Sequence, residues 1–394
     1  MLSRSVSTAV AIAALAFSPL TIADDQTSYV DSLSNLITTD DPFDPAFGNV
    51  PGNPDYRNGV GSIFIEFAGV ADGGFICTAS AISPTHILTA SHCLRNTNPD
   101  GSPDTVTRVR FVQPLFGIFE ATGFSVNPTF DFFAPIVGAF APGDVAVIEL
   151  AEPLPADIEI YELYRDSDEL RMETQHYGHG RSGVGEEGAT GGASFFYART
   201  GKNQYDETFE PFFGPGFEQL IHDFDNGKAK NDAMPWWYSP KFICNSSGTV
   251  CNVARGQASE YRDKGFGDFE VGIAPGDSGG PGFVDGKIAG VHSFGFTYFC
   301  GGLTGNVPDV TCGLDSSYGE MSGDARVSAN AGWIDAQVND GVSTPIPELV
   351  PAAAAGSAQA GNSAAIELPA AGHYLISQSV ARHMRLKVEV PLED

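Results

Sequence analysis

Residues 274–283 read APGDSGGPGF, and the role of Ser278 at the centre of this stretch governs how the whole chain folds. Gly, Pro, Asp and Ser are turn formers, each for its own conformational reason. Taken alone, the stretch is as well suited to an ordinary surface turn as to a turn that aims a nucleophile. A serine that attacks a carbonyl also needs a base to take its proton, an acid to orient the base, and donors for the developing oxyanion. Those partners have to be found elsewhere in the chain.

The base candidate is His92, in Thr89-Ala90-Ser91-His92-Cys93, directly after the strand-like HILTA. A disulfide from Cys93 to the strand containing Cys77 would keep the loop of this histidine from wandering. The acid candidate is Asp144, at the entrance of the apolar run DVAVIEL. A carboxylate there is partly buried and needs a strong partner, which an imidazole N–H supplies. Taken one at a time, His92 is equally a surface or core histidine, and Asp144 a polar strand-start residue. Together they occur in the order His, Asp, Ser.

The chain carries 49 acidic against 21 basic residues, a formal charge of -28. Such a surface repels nucleic acid and anionic membranes, which removes both as expected partners. Residues 1–23 read as an export signal: Arg4, the apolar run AVAIAALAF, then Thr21-Ile22-Ala23. The mature chain is expected to be secreted, extracellular or periplasmic, without a membrane anchor. In that compartment the six cysteines point to disulfides. Of the fifteen connectivities open to six cysteines, the local pairs Cys77–Cys93, Cys244–Cys251 and Cys300–Cys312 each close a short loop. Zinc is disfavoured, because no close cysteine pair is followed by histidines at ligand spacing.

Residues 24–58 lack periodicity and read as a pro-segment or irregular extension. From there the texture changes to short β-rich runs between Gly, Pro, Asp and Asn: SIFIEFAGV, ICTASAISPTHILTA, RVRFVQPLFGIFEATGF, DVAVIEL, SFFYAR, KFICNSS and GFVDGKIAGVHSFGF. This pattern predicts an all-β sandwich or barrel. The helical stretch 325–338 places Val327, Ala331, Ile334 and Val338 on one face. Residues 340–394 read as a Pro/Ala/Gly-rich linker and short tail.

In TASHC, GDVAVIEL and GDSGGP, in that order, the chain resembles the trypsin/chymotrypsin-like serine proteases of the bacterial secreted branch. Tyr177-Gly178-His179-Gly180, Val291–Gly295, Arg326-Val327-Ser328 and Trp333-Ile334 extend the likeness over residues 59–339. The resemblance implies two packed six-stranded antiparallel barrels, about 59–165 and 170–325, with a C-terminal helix. It implies a monomeric serine endopeptidase acting on proteins or peptides without a required cofactor. Ser278 is then the nucleophile, His92 the general base and Asp144 its orienting acid, with the amides of Gly276 and Ser278 as oxyanion hole. The substrate pocket would be lined by Gly272, Ile273, His292, Ser293, Phe294 and Gly295.

Three departures from the family pattern stand out. Gly272 replaces the aspartate that selects Lys or Arg, which predicts an apolar residue before the cut bond. His292 keeps open the alternative of glutamate specificity, since a histidine there binds substrate carboxylate in glutamate-specific relatives. Asp277 lacks the usual activation motif upstream, so its expected partner is either a newly cut N-terminus near Val50 or Arg57-Asn58, or an internal arginine. Residues 203–240 read as an insertion on the second barrel, where Asp223, Asp225, Asn226 and Asp232 suggest a structural calcium ion. A non-catalytic protease-like binding module and an exported esterase are the competing functions.

Overall fold

The computed structural model describes residues 36–38, 47–68, 74–95, 105–130, 143–244, 251–255, 258–263, 265–297 and 307–347. The expected export signal, Cys300 and the tail beyond residue 347 lie outside them. Alternation in Ile63–Phe67 buries Ile63, Ile65 and Phe67 and turns Phe64 and Glu66 outward. This strand is one of six that close on themselves, among them His86–Thr89, which is buried throughout.

After a short strand β1 (Leu36–Thr38), these strands are β2 (Val60–Phe67), β3 (Phe75–Ser83), β4 (His86–Thr89), β5 (Val106–Gln113), β6 (Gly117–Val126) and β7 (Ala146–Leu150). β2 pairs with β3 and β5, β4 bridges β3 and β7, and β6 pairs with both β5 and β7, closing the barrel. A one-turn helix, α1 (Ser91–Leu94), follows β4.

The second half contains β8 (Glu173–Gly178), β9 (Ser182–Val184), β10 (Arg199–Gln204), β11 (Glu207–Thr208), β12 (Leu220–Asp223), β13 (Lys241–Cys244), β14 (Cys251–Ala254), β15 (Val271–Gly272), β16 (Pro281–Val284), β17 (Lys287–Phe296) and β18 (Met321–Arg326). Its main sheet runs β10-β8-β16-β17-β18-β12-β11 and curls as a half-barrel; among the described residues it does not close. The fold is chymotrypsin-like: mostly β, with few helices.

The expected insertion is built into this sheet rather than laid upon it. Its β12 pairs with β18, and α2 (Glu210–Phe213) and α3 (Met234–Tyr238) flank the strand. Phe209, Ile221, Met234 and Trp237 share a core with Phe296 and Met321. SFFYAR forms a turn instead of a strand up to Ala198, because Ser194 Oγ accepts from the amides of Phe196 and Tyr197.

α4 (Val327–Asp340) is the expected closing helix; Val327, Ala331 and Ile334 are buried and Val338 packs beside them. Beyond it, β19 (Thr344–Pro345) adds to the edge of β6, and Ile346 enters the first-barrel core. An edge strand tolerates Pro345, whose missing N–H costs no ladder bond there.

The upstream extension also docks. The backbone of β1 pairs antiparallel with β15 and parallel with β9. Phe47, 4 % exposed, packs with Val271 and Ile273. Asn49 and Arg57 exchange side chain-to-backbone hydrogen bonds at 3.0 and 2.7 Å. The wall ahead of Ser278 is therefore braced by Phe47 and β1. Phe47→Ala is expected to cost about 3 kcal/mol, as for other buried phenylalanines. The measurement is the urea unfolding midpoint followed by tryptophan fluorescence; an unchanged midpoint would show that this brace carries no stability.

Candidate active site

Local chemistry explains how His92 is held. It lies on α1, where the hydroxyl of the neighbouring Ser91 donates to the carbonyls of Gly143 (3.2 Å) and Val145 (2.6 Å), pinning the segment that carries Asp144. Asp144, 2 % exposed, accepts the His92 amide on Oδ1 at 2.9 Å and pairs with His92 Nδ1 through Oδ2 at 2.7 Å. Ser293 Oγ also donates to Oδ2. The imidazole is thereby fixed with Nδ1 toward the carboxylate and Nε2 on the opposite side of the ring.

The Cys77–Cys93 disulfide forms as expected, with Cα atoms 6.4 Å apart, and ties α1 to β3. Cys93 Sγ lies 3.7 Å from the carbonyl oxygen of Ser278, so the His92 helix and the Ser278 loop meet. Cys244 and Cys251 face each other in register across β13 and β14. Cys312 is disulfide-bonded.

Ser278 sits on the turn between β15 and β16. Gly276 has φ +102°, and a Cβ there would lie 2.7 Å from Gly180 Cα, so only glycine fits both the backbone pose and the space. Thr78, which belongs to neither motif and carries no sequence signal, locks this turn to the first barrel. Its amide donates to Ser278 O at 2.8 Å and its hydroxyl to Gly276 O at 3.1 Å. The same hydroxyl accepts the His179 amide at 3.0 Å. Among the described residues no hydrogen bond engages the Gly276 or Ser278 amide, the two donors expected for an oxyanion.

Asp277 is buried and takes the amide of Gly180 on Oδ1 (2.7 Å) and of Ala274 on Oδ2 (2.8 Å). Burial pushes its carboxyl up to about 7, against those two amides and the positive fields of His292 and Arg199, which draw it down. Arg199 is fully buried on β10.

The six expected pocket residues lie on β15, the turn after it and β17. Gly272 packs under Phe224, whose ring a Cβ would meet at 2.8 Å. Ile273 joins Phe47 and Val271. A bulge between His292 and Phe294 takes Ser293 out of the ladder and re-aims it at Asp144. Phe294 stacks on Phe209 at 5.6 Å, inside the second core. Gly295 pairs with Ser322 and is half-buried.

His292 is fully buried, and its Nδ1 lies 3.0 Å from Asp324 Oδ1. Around this pair stand His176, His222 and Tyr205, the last donating to Asp324 Oδ2 at 2.5 Å. Burial would raise the Asp324 carboxyl, yet His292 and His222 hold it well below the usual range. Burial, with His222 and His292 adding to it, keeps His176 well below ordinary histidine. The rings of His176 and His292 stack at 4.9 Å and 16°. Their in-plane lone pairs then run side by side, a poor arrangement for sharing one metal ion with Asp324.

Comparison with known proteins places this geometry. The Trypsin family model matches residues 57–195, the first barrel and the start of the second half. No curated protein sequence matches. Among solved structures, HL collagenase is 16 % identical, with 79 % of this chain and 100 % of that one covered and a TM-score of 0.44. Neuropsin, a serine protease expressed in the limbic system of mouse brain, is 12 % identical, covering 72 % and 95 %, with a TM-score of 0.41.

His179 gives the site a pH dependence. It is buried, its Nδ1 lies 2.9 Å from Ser194 O, and burial lowers its pKa to about 4. The unfolded chain therefore takes up this proton first as pH falls. The contribution is complete above about 6.5 and is lost between 6.5 and 4, amounting to about 3 kcal/mol. In His179→Asn, whose amide can still donate to Ser194 O, the unfolding midpoint should fall less steeply across that interval. An unchanged slope would assign the acid sensitivity to other groups.

Proposed function

We propose that this chain is a secreted serine endopeptidase, with Ser278 as nucleophile, His92 as general base and Asp144 as its orienting acid. The observation that carries this reading is the His92–Asp144 contact of 2.7 Å, made beside a Ser278 turn that Thr78 ties to the same barrel. Family likeness over residues 57–195 supports it.

In this mechanism Ser278 Oγ bonds to the scissile carbonyl carbon as its proton passes to His92 Nε2. The carbonyl oxygen becomes an oxyanion facing the Gly276 and Ser278 amides, where loss of one donor typically costs about 3 kcal/mol. His92 then gives its proton to the leaving amine as the C–N bond breaks. Water then bonds to the acyl carbon, losing a proton to His92; the acyl–Oγ bond breaks, releasing the carboxylic acid product, and His92 returns that proton to Ser278 Oγ. Asp144 stays ionised throughout and stabilises the imidazolium.

An apolar residue before the cut bond fits best. Gly272, Ile273 and Ala274 bring no charge to the wall. His292 faces Asp324 in the core, which leaves a substrate carboxylate without the partner that glutamate specificity requires.

A fluorophosphonate probe should label wild type at Ser278 and leave Ser278→Ala and His92→Ala unlabelled. Peptide hydrolysis by Ser278→Ala should drop about a millionfold with the fold retained by circular dichroism. Undiminished hydrolysis would end the assignment. Specificity is read with matched peptides carrying Phe, Glu or Arg at the cut position, Phe being cleaved fastest. A preference for Glu that vanishes in His292→Ala would replace the apolar reading, and a preference for Arg would overturn the role given to Gly272.

A further inference from the structure

Far from the Ser278 turn in sequence, the second half gathers carboxylates that Ser278 chemistry does not use. Asp206, between β10 and β11, Asp223, at the end of β12, and Asp263 each offer an oxygen within 4.8 Å of the others. Asp206 and Asp223 are both 2 % exposed. The protein grips one oxygen of each. Asp206 Oδ1 takes Arg171 Nη1 and Gln204 Nε2, both at 2.9 Å. Asp223 Oδ2 takes the amides of Ala233 (2.6 Å) and Met234 (3.2 Å), and Asp263 Oδ1 takes the amide of Gly265 (2.9 Å).

A fourth carboxylate supplies an independent sign of a missing positive partner. Asp225 is fully buried; its Oδ1 takes the Gly227 amide at 2.6 Å, and its Oδ2 has no hydrogen-bond donor. The Asp225 carboxyl lies within hydrogen-bonding reach of that of Asp263. Two carboxylates at that range repel unless a proton or a cation stands between them. Among the described residues, Asp206 is the one member of this group with an ion pair, to Arg171, and an uncompensated buried charge is costly. Burial first, and then the neighbouring carboxylates, hold Asp206 and Asp223 well above the usual range.

We propose that Asp206, Asp223, Asp225 and Asp263 bind a calcium ion that ties the 258–270 loop to β10 and β12. The donors are all anionic oxygens drawn from three segments, the set a large hard cation takes with irregular geometry. Zinc would favour nitrogen or sulfur, and magnesium a tighter octahedron with retained water. Two members of the sequence-derived set, Asp223 and Asp225, belong to the site and the other two do not. Asn226 Oδ1 accepts the Lys228 amide at 3.2 Å, and Asp232 pairs with Arg255. Asp206 and Asp263 take their places, Asp206 through the pairing of β11 with β12 and Asp263 from an irregular segment, neither of which sequence proximity reveals.

The consequence reaches the pocket wall. Residues 265–270 run straight into β15, and Glu270 clasps them by accepting the amides of Asp225 (2.9 Å) and Phe266 (2.6 Å). Calcium there would fix the approach to Gly272 without touching the reacting atoms. The site does not depend on the proposed peptidase activity.

The test is calorimetric titration of the chelator-treated full chain with calcium chloride, alongside thermal unfolding. One site is expected, with Kd in the broad range of roughly 10⁻⁶ to 10⁻³ M. The unfolding midpoint should rise by roughly 5 °C at a hundredfold excess over Kd. Asp263→Asn, at a half-exposed position that can be changed without emptying the core, should weaken binding at least tenfold or so. Asn226→Ala should bind as wild type does. No heat and no midpoint shift up to about 10 mM calcium would overturn the proposal. Undiminished binding by Asp263→Asn would overturn the assigned ligands, and an equal response to magnesium would overturn the choice of cation.

Discussion

A carboxylate taken out of water has to be surrounded by donors, and Asp144 finds its donors in both halves of the molecule. His92 gives it an amide and an imidazole nitrogen from the first barrel; Ser293 gives it a hydroxyl from a bulge in β17. The buried charge therefore sets where the two halves meet. Thr78 repeats the logic with neutral groups, joining β3 to the Ser278 turn and the His179 amide. Losing either set would leave polar groups stranded in an interface that water cannot reach, where each costs more than a hydrogen bond normally contributes.

The second half solves a different problem. Its core is not dry: His176, His222, His292, Tyr205 and Asp324 form one polar cluster, and Arg199 is buried beside Tyr197. Such a core is specific because each polar group accepts few neighbours, and it leaves His292 committed to Asp324 rather than to the pocket.

Much of this was legible in the residues. The alternating runs became strands of the first barrel because one face of each had to be buried, and 325–338 became α4 within two residues at either end. Thr89–Cys93, Asp144 and Gly276–Ser278 came together because each carries its own local device: a Ser91 hydroxyl bonded to the Val145 carbonyl, a disulfide, a glycine with positive φ. What escaped was non-local. Thr78 is one threonine among many until the fold places it between three carbonyl and amide groups. Phe47 and Ile346 lie in segments that read as extension and linker, because a single apolar residue has no periodicity. The bulge in β17 that turns Ser293 toward Asp144 is likewise a register shift that residues 292–295 do not announce.

The termini of the described chain have a consequence for how the molecule is held together. The segment upstream of the first barrel lies against the second half, through β1 and Phe47. The segment downstream of the second half returns to the first barrel, through β19 and Ile346. Each half thus wears an arm that belongs, in chain order, to the other side. Neither half corresponds to a continuous stretch that could be excised whole. The two are buckled by reciprocal straps, so a force drawing them apart must pull β1 from between β15 and β9, and β19 from β6, before the interface itself can open.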